Sequence, residues 1–420
     1  MRADPPQVVA ANGNLARSRA GRRRPGQRIL VVIENVPLAR DHRAVKQVET
    51  LLDAGYQVSV ISQRHVDNRR FRNRDGLLLY EYPPPPEASG KLSFLYEYGY
   101  SLLAASTLAL RNFLAHGFGA IQTGHPPDLY FLLALPFRLA GRRFVVDQRD
   151  LSPEVFADRY GRATGLLPTL LRMLERRSWR LADHVLCVNQ ALLGVIVRRG
   201  RLPEGSVSVV GNGPVLARTG PRPPRPEFRN GRRFLACWVG LMGPQDHVDL
   251  GLSAVHHLVY TLGRDDCQFT FIGDGEMLPE LRALAEQLGI ADWVTFTGWL
   301  DEDACFAYLA TADLAMDTNL QPEVSPVKGM EYMAFGVPFV AFDLQETRAM
   351  AEGAALYLPP GDPLALARAI AELLDDPTQR AEMSRIGRRR VEEQLAWDCQ
   401  SMTYLSVYER LLGPARVTAR

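Results

Sequence analysis

The sequence predicts an α/β protein made of two Rossmann-like domains in series. Short apolar segments typical of buried strands alternate with longer segments of helical spacing, which indicates parallel sheets covered by helices. This alternation occurs twice, on either side of a stretch rich in Pro, Gly and Arg at 217–233. The 420 residues also suffice for two domains of roughly 100 to 200 residues each.

The first series begins with an apolar run at 28–33. Val45, Val48, Leu51 and Leu52 follow at helical spacing before Gly55, a good helix-stop residue. Further strands of this sheet are predicted at 57–61, 119–122, 143–147, 183–188 and 206–210.

The second series shows the same alternation of strand-like and helical segments and predicts a second parallel sheet. Its strands are predicted at 234–239, 268–272, 293–297, 313–316, 338–342 and 355–358. Ligands of open parallel sheets bind beyond the carboxyl ends of the strands. Two such sheets facing one another therefore predict an active site in an interdomain cleft.

These patterns divide the chain into five parts. We expect a basic, disordered tail at 1–27, a first domain at 28–216, a linker at 217–233 and a second domain at 234–395. The helical pattern at 377–412 is too long for one small domain and is interrupted near Trp397. We therefore expect the helix in 396–420 to cross back to the first domain.

Composition excludes several classes of protein. Hydrophobic residues make up 46% and charged residues 23%, which is ordinary globular usage. No run of about 18 apolar residues predicts a spanning helix, and no secretory signal follows the N-terminal arginines. The five cysteines lack metal-ligand spacing, and the basic residues lack the motifs of nucleic-acid binding. We expect a cytoplasmic protein, with any membrane contact peripheral and at the inner face.

The most informative segment is 323–338, which reads EVSPVKGMEYMAFGVP. Ser325 is a good N-cap, Pro326 a good first helical residue, and Gly336 a good helix end. The backbone amides at such a helix start, together with Lys328 in the first turn, predict a pyrophosphate site. Glu323, just before the helix, suits sugar hydroxyls, and Glu331 suits ribose hydroxyls.

Here the chain resembles the retaining glycosyltransferases of family four, whose second domain carries two glutamates separated by seven residues. Glu323 and Glu331 have that spacing, and the string that follows matches the form EYMAxGxP. Three other strings extend the likeness over nearly all of 28–412, namely Asn212-Gly213-Pro214, Gly273-Asp274-Gly275-Glu276 and Phe296-Thr297-Gly298-Trp299.

The resemblance implies the GT-B fold and transfer of a sugar from a UDP-, GDP- or TDP-linked donor, with retention of configuration and without metal or cofactor. The implied acceptor is a glycan, a lipid-linked saccharide or a small molecule. Glu323 and Arg149 are the catalytic candidates. The donor-binding candidates are Ser325, Pro326, Val327, Lys328, Glu331, Gly240 and Gly275, with Trp299 and Leu300 meeting the nucleobase through backbone groups.

Two mechanisms are compatible with the sequence. In a front-face mechanism Glu323 orients the sugar while amides from 325–328 stabilise the departing β-phosphate. In the other, Glu323 is a nucleophile that forms a covalent intermediate, as in retaining glycosidases.

The chain departs from the family pattern at three positions. Leu241 and Asp246 stand where an arginine and a lysine usually grip the phosphates, so Lys328 is expected to supply the missing charge. Arg149 stands where a histidine often lies beside the donor sugar.

Four further residues at strand ends are acceptor-side candidates, namely Asp41, Arg43, His125 and Asp150.

Structural interpretations compete with several of these assignments. Asp301-Glu302-Asp303 could bind a metal, but acids directly before a helix favour its dipole. Asp147, Arg149 and Asp150 could form a structural ion pair, and Gly273 to Glu276 a plain turn. The stretch 166–180 could contact a membrane, although a solvated surface helix is the better interpretation.

Two other functional classes compete with sugar transfer. A sugar-nucleotide epimerase or a hydrolase could use the same architecture, because fold alone does not determine function. A non-catalytic sugar-nucleotide-binding partner is a third hypothesis, since Leu241 and Asp246 replace the usual phosphate-binding side chains.

Overall fold

The structure is a computed structural model of the 420-residue chain. It describes residues 27–85, 93–126, 128–160, 164–203, 205–220, 222–322 and 325–413. Side chains at 93–95 and 158–160 are not described. The predicted tail at 1–27 therefore lies almost entirely outside the described residues.

The first sheet has seven strands in the order β3-β2-β1-β4-β5-β6-β7. Its pairings between β1 and β2, β2 and β3, β5 and β6, and β6 and β7 are parallel. The strands are β1 (Arg28–Val32), β2 (Gln57–Gln63), β3 (Leu77–Tyr82), β4 (Ala120–His125), β5 (Arg143–Gln148), β6 (His184–Cys187) and β7 (Val207–Val209).

The second sheet has six parallel strands in the order β10-β9-β8-β11-β12-β13, which is the Rossmann order 3-2-1-4-5-6. All six predicted strands are present within one residue at each end. The strands are β8 (Phe234–Val239), β9 (Cys267–Ile272), β10 (Val294–Phe296), β11 (Leu314–Asp317), β12 (Phe339–Phe342) and β13 (Ala355–Leu358).

Strand β3 is an element that the sequence pattern did not predict. It pairs with β2 at the edge of the sheet, and four of its six residues are only partly buried. An edge strand lacks the apolar enrichment of a central strand on both faces. The apolar run that follows Gly76 was the available signal.

Helices occupy the crossovers, as the alternating pattern predicted. Those of the first series are α1 (His42–Asp53), α2 (Ser93–His116), α3 (Phe131–Leu139), α4 (Ser152–Tyr160), α5 (Leu166–Leu181) and α6 (Gln190–Gly200). Those of the second are α7 (Val248–His256), α8 (Leu278–Gln287), α9 (Glu302–Thr311), α10 (Val327–Ala334), α11 (Gln345–Ala351), α12 (Pro363–Asp375), α13 (Pro377–Arg390) and α14 (Trp397–Leu412).

The second sheet has an apolar core on each face. Along β8, Phe234, Ala236 and Trp238 enter one core cluster while Leu235 and Cys237 enter the other. Successive side chains of a strand point to opposite faces, so a strand covered by helices on both faces must be apolar throughout. This explains why the sequence predicted these strands so closely.

The chain divides into two compact units, Met1–Ile121 with Leu412–Arg420, and Gln122–Leu411. Within the first unit β1, β2 and β3 form a parallel ladder flanked by α1 and α2. The second unit contains the strands β5 to β13, and all the contacts described below for the candidate donor residues lie within it.

The chain leaves α13 and returns along α14 over the end of the β7 segment. The backbone N–H of Trp397 donates to the Pro214 carbonyl at 2.8 Å, and the Gly211 N–H donates to Gln400 Oε1 at 2.8 Å. The Tyr404 hydroxyl donates to buried Gln122 at 2.9 Å. The predicted break near Trp397 is a five-residue π-helical turn, Val391–Leu395.

All five cysteines are free thiols. Burial raises the pKa of the Cys305 thiol to about 12, with Glu331 and Glu302 adding to the shift. Among the described residues, no helix is both long enough and apolar enough to cross a membrane.

Gly213 is the position where the return of the chain leaves least room. A Cβ placed there would lie 1.7 Å from the Leu395 carbonyl oxygen, which is backbone and cannot move aside cheaply. We expect Gly213→Ala to lower the stability of the protein by about 1–3 kcal/mol, the range for overpacking. Thermal and urea unfolding measure the loss.

The matched control is Gly220→Ala, because a Cβ there meets no atom within 4 Å and Gly220 has no positive φ. That substitution should be neutral or stabilise by up to about 1 kcal/mol. Equal stability of the two variants would contradict the close approach at Gly213.

Candidate functional site

Helix α10 carries the central segment of the predicted motif, but it begins one residue later than predicted. The N-cap is Pro326 and not Ser325, and Pro326 has φ −79° and ψ 65°, outside the helical range. The Val327 N–H donates to the Ser325 carbonyl at 2.8 Å, which closes a tight turn before the helix. The prediction of Ser325 as N-cap and Pro326 as first helical residue was therefore wrong. Glu323 lies outside the described residues.

Buried contacts hold α10 against the ends of two neighbouring strands. The Tyr332 side chain is fully buried, and its hydroxyl donates to the Met316 carbonyl at 3.2 Å and accepts from the Val239 N–H at 3.0 Å. The helix ends before Gly336, whose φ of 68° suits glycine. Tyr332 thus holds α10 beside the carboxyl ends of β8 and β11.

Lys328 is the cation of this site. Its Nζ lies 3.4 Å from Asp246 Oδ1 and 3.9 Å from Asp317 Oδ1, and 4.2 Å above the centre of the Trp238 ring. The side chain is only 16% exposed. One ammonium between two carboxylates gives the group a formal charge of −1, so a second cation or a change in pairing must accompany an incoming dianion.

A hydrogen-bond chain holds the partners of Lys328 in place. Trp238 Nε1 donates to Thr318 Oγ1 at 3.1 Å, and Thr318 Oγ1 donates to the Asp246 carbonyl at 2.7 Å. The Gly243 N–H donates to Asp246 Oδ2 at 3.3 Å. Sequence reasoning missed Trp238 and Asp317 as site residues, although Asp317 is the last residue of β11 and carboxyl ends of strands are where sites form.

The two predicted donor-binding glycines pack against backbone. A Cβ at Gly273 would lie 1.9 Å from the Gly240 carbonyl oxygen, and one at Gly275 would lie 2.5 Å from the Met242 carbonyl oxygen. Gly240 and Gly275 therefore lie in two strand-end loops that touch backbone to backbone. The contact requires glycine at 273 and 275, whereas a Cβ at Gly240 would lie 3.0 Å from the Trp238 ring and 3.4 Å from Lys328 Nζ.

The remaining second-domain candidates surround this loop pair. Trp299 and Leu300 follow β10, and Trp299 is 62% exposed while Leu300 is partly buried. Leu241 is 63% exposed in the β8 loop. Glu331, in the middle of α10, is partly exposed and close enough to Cys305 to raise the pKa of that thiol.

Arg149 and Asp150 follow β5 in the first series. Arg149 Nε lies 3.5 Å from Oδ2 of buried Asp147, and the Arg149 N–H donates to the His125 carbonyl at 3.0 Å. Gln148 Nε2 donates to the Asp150 carbonyl at 2.7 Å. Asp150 is exposed, yet desolvation raises the pKa of its carboxyl against the lowering effect of Arg149.

Asp150 and the Lys328 group lie in the same compact unit. Helix α4, which begins two residues after Asp150, contacts the turn Pro244–Asp246 that carries the Lys328 partner.

His125 is part of a buried network. Its Nε2 lies 2.8 Å from Thr123 Oγ1 and its Nδ1 lies 3.0 Å from Asp128 Oδ1, and all three side chains are buried. Asp128 also accepts from the Ser152 hydroxyl. With both ring nitrogens engaged inside the protein, the geometry gives His125 a supporting role for the loop that carries Arg149.

The network continues into a buried carboxylate on α5. Glu175 Oε1 accepts from the Ser152 N–H at 3.0 Å, and Glu175 Oε2 accepts from Arg199 at 2.8 Å, while Arg199 also pairs with Glu154. Desolvation, with Asp128 adding to it, raises the pKa of Glu175 to about 8 although Arg199 lowers it. The start of α4 is thus held by a carboxyl that resists ionisation.

The two candidates of the first unit lie at the start of α1. Asp41 caps α1, because its Oδ1 accepts from the Ala44 N–H at 2.9 Å. Arg43, in the first turn of α1, is 3% exposed.

The acidic run at 301–303 forms a helix start, as predicted. Asp301 caps α9 by accepting from the Ala304 N–H at 2.8 Å. Glu302 pairs with Arg218 and Asp303 pairs with Arg222. In the part of the chain that the structure describes, no group of three His, Cys, Asp or Glu side chains is arranged to hold a metal ion.

Two family models match the chain. Residues 41–213 match the glycosyl transferase 4-like domain, and residues 233–376 match the glycosyl transferases group 1 domain. An Anabaena protein, Alr3699/HepE in complex with UDP-glucose, superimposes with a TM-score of 0.71 at 16% identity over 91% of this chain and 99% of that one. This likeness shows the fold, which is GT-B with two Rossmann-like domains.

Curated relatives match over shorter segments. The alpha-D-kanosaminyltransferase of Streptomyces kanamyceticus is 29% identical over 36% of this chain and 39% of its own length. A GDP-mannose-dependent monoacylated alpha-(1-6)-phosphatidylinositol monomannoside mannosyltransferase of Corynebacterium glutamicum is 33% identical over 41% of this chain and 45% of its own length. The chain thus spans less than half the length of these relatives.

The raised pKa of Glu175 predicts a dependence of stability on pH. An acid whose pKa rises from 4.5 to about 8 on folding contributes most stability below pH 4.5, where it is protonated in both states. This contribution is lost as pH rises towards about 8, because the unfolded chain ionises first. Glu175→Gln should flatten the fall in unfolding free energy across that window.

Denaturant unfolding at several pH values measures the slope. The control is Glu382→Gln, because Glu382 is exposed and its pairing with Arg385 lowers its pKa. An unchanged slope in Glu175→Gln would show that Glu175 is ionised throughout.

Proposed function

We propose that this chain, which carries a glycosyl transferase 4-like domain followed by a group 1 glycosyl transferase domain, is a retaining glycosyltransferase of the family four type. It takes a sugar from a nucleoside diphosphate donor and transfers it to a glycan, a lipid-linked saccharide or a small molecule. The observation that carries this proposal is the Lys328 ammonium beside the amino end of α10. Cation and helix terminus together suit a pyrophosphate.

The donor is bound mainly by the second domain. The backbone N–H groups of Ser325 and Lys328 and the Lys328 ammonium contact the phosphates, because Pro326 has no N–H and the Val327 N–H is bonded to the Ser325 carbonyl. Glu331 accepts from the ribose hydroxyls. Trp299 and Leu300, which follow β10 beside the Gly240 and Gly275 loops, meet the nucleobase. Exposed Trp299 is accessible for such a contact.

Glu323 and Arg149 act at the sugar. Glu323 orients the sugar ring and supports the positive charge that develops at the anomeric carbon. Arg149 belongs to the first series, and its loop is held by the His125 carbonyl. Its guanidinium contacts sugar hydroxyls or phosphate. Asp150, which is exposed beside Arg149, is the acceptor-side candidate we favour over buried His125.

The transfer follows a front-face course. The bond between the anomeric carbon and the β-phosphate oxygen breaks, and the acceptor oxygen forms its bond to that carbon on the same face. The acceptor proton passes to the departing phosphate oxygen, so a separate protein base is not required. Acids 301–303 cap α9 and pair with Arg218 and Arg222, so this run has a structural role.

A lipid-linked acceptor is the class we favour. The Corynebacterium glutamicum relative is named for action on a phosphatidylinositol mannoside. By analogy this chain would work at the inner face of a membrane, in peripheral contact with it. An epimerase or hydrolase on the same fold would turn over the donor without any acceptor.

Thermal stabilisation by a panel of UDP-, GDP- and TDP-sugars tests the proposal. A donor at about 100 times its Kd adds about 2.7 kcal/mol to stability. The stabilising donor is then incubated with and without acceptor glycans. Stabilisation by no member of the panel, or donor turnover that is independent of acceptor, would exclude sugar transfer.

Glu323→Gln should lower turnover by about a hundredfold or more while the donor still binds, because the contact of Glu323 strengthens in the transition state. Single-turnover transfer and donor titration separate the two effects. The control is Glu352→Gln, an exposed glutamate paired with Arg390. Turnover near the wild-type rate would remove Glu323 from the reaction.

Lys328→Ala should weaken binding of nucleoside diphosphate by about 1.5–3 kcal/mol, the value of a hydrogen bond to a charged group. Nucleoside without phosphates should bind as before. Asp246→Asn should act in the opposite direction, because it removes a carboxylate that competes for the same ammonium 3.4 Å away. Calorimetric titration of both ligands gives these values.

Comparison of the two ligands also separates the loss of a phosphate contact from damage to helix α10. Fraying of α10 would weaken nucleoside and diphosphate alike and lower the melting temperature. Unchanged diphosphate affinity in Lys328→Ala would leave Arg149 as the candidate phosphate contact.

A further inference from the structure

Helix α5 exposes a face whose two halves have different chemistry. Leu166, Leu170, Met173 and Arg177 recur at spacings of four, three and four residues, which places them on one side of the helix. The three apolar side chains are 93%, 45% and 48% exposed. The amino-terminal half of this face, up to Met173, is therefore apolar, and the carboxyl-terminal half begins with the basic residue Arg177.

The opposite face of α5 explains why the helix is oriented this way. Pro168, Glu175, Ser178 and Trp179 are buried, and Glu175 and Trp179 hydrogen-bond to Ser152 and Gln148. The orientation of α5 is thus set by the buried network. The exposed leucines are not accidents of a loosely held helix.

Neighbouring α3 enlarges the apolar surface. It contacts α5 and exposes Leu132, Leu135 and Leu139, the last at 81%. We define the α3–α5 patch as the exposed apolar side chains of both helices, namely Leu132, Leu135, Leu139, Leu166, Leu167, Leu170 and Met173. Exposed apolar side chains clustered on two contacting helices are typical of an interaction site.

The charges beside the patch indicate its partner. Helix α5 carries four arginines, of which Arg176, Arg177 and Arg180 are exposed, and its one acid, Glu175, is buried. An apolar surface bordered by arginines and without an exposed acid on the same helix complements a bilayer with anionic headgroups. A protein partner would not require this one-sided charge.

We propose that the α3–α5 patch docks this protein on an anionic membrane surface, with its leucines entering the headgroup boundary and Arg176 and Arg177 contacting lipid phosphates. This changes our interpretation of 166–180 as a merely solvated helix. The inference rests on the surface itself and not on the proposed sugar transfer, so each can fail without the other.

The test is co-sedimentation of the full chain with vesicles of phosphatidylcholine and phosphatidylglycerol in equal parts, compared with phosphatidylcholine alone. The wild type should bind the mixed vesicles. Arg176→Gln with Arg177→Gln should weaken this binding about 30-fold, at about 1 kcal/mol per arginine. Leu166→Gln, Leu170→Gln and Met173→Gln combined should weaken it at least about tenfold.

Matched controls lie outside the patch. Met402→Gln removes an exposed methionine of α14, and Arg385→Gln with Arg389→Gln removes two exposed arginines of α13. Both should bind vesicles as the wild type does. Thermal unfolding without any donor, measured on every variant, reports that the protein is folded.

Three results would overturn the proposal. These are failure of the wild type to bind mixed vesicles, equal binding by the patch variants, or an equal loss in the controls. Sedimentation velocity without lipid adds a fourth, because a wild-type dimer that becomes monomeric in the triple apolar variant would assign the patch to self-association.

Discussion

The candidate site depends on one buried electrostatic arrangement, the Lys328 ammonium between Asp246 and Asp317 above the Trp238 ring. A cation with 16% exposure needs such partners, since desolvation of an unpaired charge is costly. Every contributor comes from a different element, so the group forms only when β8, the turn Pro244–Asp246, β11 and α10 are assembled. Its excess negative charge opposes an incoming anion unless the pairing of Lys328 changes.

Most strands of the two sheets could be predicted from sequence because they are short, buried and largely apolar. The edge strand β3 was missed although an apolar run follows Gly76, and the start of α10 could not be predicted. At α10 the dihedral angles of Pro326 and the Val327–Ser325 hydrogen bond override a favourable N-cap sequence. Local propensity does not encode a turn that depends on its surroundings.

The candidate site residues also divide into those that a local motif identifies and those that only the folded chain brings together. The motif at 323–338 identified Lys328 because the signal lies within one helix turn. Trp238 and Asp317 join Lys328 from 90 and 11 residues away in the chain, and no local pattern indicates that contact. His125 shows the converse, because a polar residue in a strand-end loop looks available until its buried partners Thr123 and Asp128 are located.

The path of α14 has a consequence for domain exchange between related enzymes. Its first residues bond to the backbone at 211–214, and Tyr404 bonds to Gln122, so the last helix contacts the surface of the first series. A chimera joined only within 217–233 would combine a foreign α14 with native 211–214. The compatible design has two junctions, the second in the π-helical turn Val391–Leu395, so that α14 stays with the half it contacts.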